Sequence, residues 1–231
     1  MKLVLVSTLA VAALLTGCSI PTAPKALSSL DMPATRSSAA SVANGRTVSL
    51  GIVYSPSTQA NRDYLRHYQA NAGSGFGQSL LDQPIHDAYV ASSNPDFAVD
   101  GVKASLQRQF GSVTVYPDMQ SLRAARPDVV AIVDTHSQLM TSRSSDIKVD
   151  VSASLYDSKF NYIGTAQGHD ARSLSPVWAD FGRSEEIVAD INQQQDVQVR
   201  ALQKFDQSLS NLLTRSTDKV SMIDHTTGQK L

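Results

Sequence analysis

Residues 128–134, Asp-Val-Val-Ala-Ile-Val-Asp, are the most apolar run of the chain outside its N-terminus. The apolar core of this run, Val129 to Val133, is β-branched except for Ala131. It is too short for a buried helix, so it reads as a central strand covered on both faces. Arg126-Pro127 sets its start and stops a short helix predicted over 118–125. Downstream the pattern changes to alternation. Ile147, Val149, Val151, Ala153 and Leu155 fall on one side, and Lys148, Asp150, Ser152 and Ser154 on the other. Residues Asp157 to Asn161 are turn-forming, and Tyr162 to Gln167 return as a partner strand. This hairpin is expected to bury one face and wet the other.

Upstream, Thr47 to Tyr54 is β-rich and Ser55-Pro56 ends it. Tyr64, Leu65 and Tyr68 recur at helical spacing within 59–71, and Gly73-Ser74-Gly75-Phe76-Gly77 punctuates the chain. Leu80, Leu81, Ile85, Ala88 and Tyr89 can share a helical face, with Pro84 expected to strain or interrupt it. Pro95-Asp96 opens a further helix carrying Val99, Val102, Leu106 and Phe110, with Gly111 suited to a left-handed cap. Ser112 to Tyr116 reads as a short strand stopped by Pro117. Residues 184–215 favour helix, opened by Ser184-Glu185-Glu186. Its apolar faces are Ile187, Val188 and Ile191, then Leu202, Phe205, Leu209 and Leu212. Gln193 to Gln195 suggest a solvated middle or a break, and 216–231 a loose polar tail. The order implies an α/β or α+β two-layer sandwich. It would have a mixed sheet of about five strands, helices mainly on one face, and a long C-terminal helix.

The N-terminus has a different character. One lysine, Lys2, precedes an apolar run from Leu3 to Leu15, as a secretory signal requires. As a helix the run reaches about 20 Å, short of a bilayer core of about 30 Å. It ends in Leu15-Thr16-Gly17-Cys18, which closely resembles the lipobox of bacterial lipoproteins. The resemblance implies cleavage by lipoprotein signal peptidase after Gly17, with Leu15, Thr16 and Gly17 as the recognised residues, and acylation of Cys18. Buried acyl chains contribute about 0.8 kcal/mol per CH₂, so two or three hold a protein firmly at a membrane. In lipoproteins of this kind an aspartate after the cysteine favours inner-membrane retention. Ser19 stands there instead, which implies the periplasmic face of the outer membrane. The expected organisation is a signal peptide over 1–17, the acylated cysteine and a flexible Ser-, Ala- and Pro-rich tether over 18–46, one periplasmic domain over 47–215, and the tail.

With 20 Lys and Arg against 21 Asp and Glu, the chain offers no electrostatic surface for nucleic acid. Cys18 is the only cysteine, so no disulfide can form within the chain and its stability rests on packing.

No catalytic or metal signature emerges. The five histidines form no HExxH or Cys/His pattern, and no Gly-x-Ser-x-Gly elbow occurs. Gly73–Gly77 lacks the Lys-Ser/Thr of a phosphate loop. The best polar cluster is Asp134 and His136, two apart on one strand and therefore on one face, joined by His169 from the hairpin. These fit strand-end residues near solvent better than a metal or acid–base site. No cofactor is implied. Tyr64, Tyr68, Phe76, Tyr89 and Trp178 suit packing more than contact.

The strands Val48–Tyr54 and Val129–Asp134, the hairpin Val149–Gly168 and the terminal helix together resemble the periplasmic domain of certain envelope lipoproteins. These are the curli-type secretion, polysaccharide-export and transporter-accessory lipoproteins. The resemblance implies a membrane-anchored, non-enzymatic binding or assembly module, with membrane lipid through Cys18 and an envelope protein or a second copy as partners. The alternatives are an envelope hydrolase or metal enzyme using Asp134, His136 and His169, or a carrier of lipid or glycan between sheet and helices.

Overall fold

A computed structural model describes residues 47–70, 82–140, 144–174 and 184–227, with side chains as far as Thr214. The lipobox, the tether, Gly73–Gly77, Leu80, Leu81 and Trp178 lie outside the described residues. Among those described, the order is β1 (Ser49–Tyr54), α1 (Pro56–Ala70), α2 (Gln83–Ser92), α3 (Phe97–Gln109) and β2 (Ser112–Val115). Next come α4 (Met119–Ala125), β3 (Val129–Gln138), β4 (Asp146–Asp157), β5 (Tyr162–Ser173) and α5 (Ser184–Thr227). The five strands form one sheet in the order β2-β1-β3-β4-β5. β1 is parallel to β2 and β3, while β3, β4 and β5 are antiparallel, so the sheet is mixed as expected.

The apolar run of β3 has partners on both sides. Val129, Ala131 and Val133 join the main core beneath α1, α2, α3 and α5. Val130 and Ile132 face the other way and pack with Val53, Tyr156 and Leu122 of α4. In β4 the alternation is literal: Ile147, Val149, Val151, Ala153 and Leu155 are all buried in the main core. α5 closes that core with Ile191, Val197, Ala201, Phe205 and Leu209. Each such large side chain removed from water contributes about 1.5–3 kcal/mol.

Several local expectations need correcting. Pro84 begins α2 rather than breaking it, since a helix's first turn lacks N–H partners and proline's fixed φ suits it; Pro56, which follows the end of β1 as expected, opens α1 in the same way. Ser55 caps α1, its hydroxyl accepting from Thr58 N at 3.1 Å. α3 ends before Gly111. Phe110 is already extended, and the Gly111 N–H donates to Val48 O on β1. Gln193 to Gln195 do not break α5, and of the three only Gln195 is exposed. Gln194 is fully buried, accepting from Met140 N at 2.8 Å and donating to Ser92 Oγ at 3.1 Å, while Gln198 donates to Ser92 O at 2.7 Å. The residues read as a loose tail from 216 are helical as far as Thr227.

β3 and β5 also run further than the apolar pattern indicates, to Gln138 and Ser173. β1 ends opposite Val133, so beyond that point β3 keeps β4 on one side but has no strand on the other. Its backbone groups are buried, and buried backbone polar groups need partners. Side chains of α1 supply them. Thr58 Oγ1 accepts from Thr135 N at 2.9 Å. Asn61 accepts from Ser137 N at 3.1 Å and donates to Ser137 O at 3.0 Å. The Tyr64 hydroxyl accepts from Leu139 N at 3.3 Å, and the Tyr68 hydroxyl donates to Met140 O at 2.6 Å. Thr58, Asn61, Tyr64 and Tyr68 lie on one helical face, and that face substitutes for a strand.

Candidate functional site

The second face of the sheet is covered only in part. α4 and the β4–β5 turn close the end around Val130 and Ile132, with Arg123 of α4 lying 5.1 Å over the Phe160 ring. Beyond them the three antiparallel strands present two cross-strand rows. In one, Asp134 is opposite Ser152, which is opposite Gln167. In the other, His136 is opposite Asp150, which is opposite His169. Directly opposed residues share a face, so Asp134, His136 and His169 do lie on one side of the sheet.

The side chains are already engaged in part. Asp134 accepts from the Ser55 hydroxyl, the residue that caps α1, which ties this carboxylate to the helix start. Asp150 lies between the two imidazoles of its row. Its Oδ1 is 2.7 Å from Nδ1 of His169, and its Oδ2 is 3.7 Å from Lys148 Nζ. About half of the His169 side chain and two-fifths of that of Asp150 are exposed. Burial holds the pKa of His136 below its ordinary value, against the pull of the Asp150 carboxylate; Lys148 adds to the lowering and Asp134 opposes it. At neutral pH this keeps His136 uncharged.

Asp134, Asp150, Ser152, Gln167, His169 and Lys204 line a shallow groove of about 480 Å³, with Val151 and Gly168 in its floor. Lys204 reaches it from α5 around the edge of β5, where its Nζ donates to His169 O at 2.9 Å and to Asp170 at 2.6 Å. Arg200 Nε donates to the same carboxylate at 2.8 Å. Burial pushes the Asp170 pKa up, but the bonds from Lys204 and Arg200 outweigh it and leave the pKa below the usual value.

Among the described residues no three His, Cys, Asp or Glu side chains converge to hold a metal ion. The Nδ1–carboxylate contact of His169 is the kind that orients a general base, yet no hydroxyl of the described residues lies within hydrogen-bond distance of His169. Period two placed Asp134 and His136 together, but Asp150, Ser152, Gln167, Ser55 and Lys204 escaped sequence reasoning. Asp150 sat among the wet positions of the hairpin, and only the register between strands reveals its pairing. Ser55 and Lys204 arrive from elements distant in sequence, and nothing local announces them.

No protein-family model and no curated protein matches the chain. Two solved structures align with it weakly. A single-substitution variant of the PelC dodecamer from Paraburkholderia phytofirmans is 14% identical with a TM-score of 0.30, covering 69% of this chain and 94% of that one. The PelC dodecamer from the same organism in a second crystal form is 15% identical with a TM-score of 0.28, covering 70% and 92%. Likeness this slight carries no functional argument.

Proposed function

We propose that this chain is a lipid-anchored envelope protein, held at the periplasmic face of the outer membrane through acylated Cys18. In this reading its domain is a non-enzymatic binding module of an envelope complex. The observation that carries the proposal is Leu15-Thr16-Gly17-Cys18 at the end of a short apolar run with a single preceding lysine. The domain adds two supporting features. No helix among the described residues is long and apolar enough to cross a membrane, so attachment through lipid is consistent with the fold. The second sheet face is open across three strands, where Asp134 accepts from Ser55 and Asp150 pairs with His169, so a ligand can reach it.

The test is fractionation and mass spectrometry of the native protein beside Cys18→Ala. The wild type should be recovered in the outer membrane, starting at an acylated cysteine, and the variant should be released or mislocalised. An uncut chain, an unmodified thiol, or a variant that stays equally membrane-bound refutes the anchor. Crosslinking in intact cells should recover a stoichiometric envelope protein, and repeated recovery of the chain alone refutes the assembly role.

A further inference from the structure

Taking the binding reading above for where the ligand is met, we infer that the groove between Asp134 and Lys204 takes a neutral polyhydroxylated ligand, a short oligosaccharide in chemical class. The groove's volume of about 480 Å³ lies within the range of roughly 300–1,000 Å³ typical of small-molecule sites. Its lining sorts into spent and unspent groups. Asp134 has given one oxygen to Ser55, Asp150 has given one to His169, and Lys204 is held by Asp170 and the His169 carbonyl. Within the described residues no hydrogen bond engages the Ser152 hydroxyl or the Gln167 side-chain amide. The second oxygen of Asp134 also forms no hydrogen bond there, whereas that of Asp150 is ion-paired with Lys148 at 3.7 Å.

The unspent groups are therefore an acceptor from β3, a hydroxyl that can do either from β4, and an amide that does both from β5. They are spread across neighbouring strands on one face. A ligand whose own groups each donate and accept, set a few ångströms apart around a ring, matches that set. Charge selects in the same direction. Lys204, the cation of the lining, is held by Asp170, and the Asp150 carboxylate by His169 and Lys148, so neither an anion nor a cation meets a free counter-charge at these two groups. The lining has no aromatic or large apolar side chain apart from Val151 in the floor. That disfavours a folded protein partner here, because the anchors of protein interfaces are mostly aromatic or arginine. It disfavours an acyl chain for the same lack of apolar surface.

The experiment presents the full-length protein, as purified from cells in detergent, to an array of uncharged di- to tetrasaccharides and to charged counterparts. The best neutral binder is then titrated calorimetrically. At least one neutral sugar should bind with a Kd of about 1 mM or tighter. The double variant Ser152→Val, Gln167→Leu should weaken that binding about tenfold or more while unfolding at the same temperature as wild type. Failure of every neutral sugar, binding of charged sugars alone, or affinity that survives the double variant overturns the inference. The anchor fails separately. A chain that is unacylated yet binds the sugar refutes the anchoring reading alone, and an acylated chain that binds none refutes the groove alone.

Discussion

At Gly168 the backbone of α5 comes so close to β5 that an added Cβ would lie 2.0 Å from Ala201 O and 2.5 Å from Phe205 N. Both are main-chain atoms of a helix packed in the core, so neither can swing aside. Gly168→Ala should therefore lower the unfolding free energy by about 3 kcal/mol, read from the urea midpoint at unchanged slope. At Gly164 the nearest atoms are the branched end of Leu212, a flexible side chain, and alanine there should cost less. Asp170 offers a test in pH. Lys204 and Arg200 hold its folded pKa below the usual carboxylate value despite the opposing effect of burial. Stability from this group is thus present above the unfolded pKa of about 4 and is lost as pH falls through the folded value. The stability difference between wild type and Asp170→Asn should be larger at about pH 6 than at about pH 3. A difference that stays constant would show that the two cations do not act through this carboxylate.

α1 illustrates what a pattern of apolar residues cannot show. Its buried face includes Ser57, Thr58 and Asn61 beside Tyr64, Leu65 and Tyr68, which on composition alone looks half-solvated. Thr58 and Asn61 are buried because the upper half of β3 needs partners for its N–H and C=O groups. Replacing Asn61 by Leu leaves both backbone groups of Ser137 unsatisfied in a buried setting. It should cost about 2–4 kcal/mol and accelerate amide exchange at Ser137. Exchange at Ser137 unchanged from wild type would contradict the substitution of helix for strand. The same need explains why β3 was legible only from 128 to 134: Thr135 and Ser137 are buried yet polar, so the apolar run stops while the strand continues. Gln194 of α5 was misjudged for the same reason, since it is buried as a hydrogen-bond bridge between Met140 and Ser92. β4 was legible throughout, because one face is core and the other solvent, and alternation records that directly. In the candidate site the same period placed Asp134 and His136 correctly. It could not supply Asp150 as the partner of His169, which depends on which residues of two strands stand opposite each other.

The molecule divides its apolar residues unequally between the two sides of the sheet. The larger core draws on four helices and four strands, whereas the smaller is five buried residues closed by one short helix. Opening free energies should follow that division. Amides of β3 and β4 should exchange slowest, with those of β2 and α4 fastest among the regular elements, by hydrogen–deuterium exchange of the native protein. Comparable protection in β2 and β4 would mean that the small core opens only with the large one. The two borders of the sheet differ as well. Along β5, Ser208 accepts from the Gln167 N–H and Lys204 binds the His169 carbonyl, so part of the longer border is occupied by the chain's own helix. The opposite border, β2, has four residues. Polymerisation by adding strand after strand therefore meets an occupied margin on one flank and a very short one on the other, so crowding many copies together need not lead to fibrils.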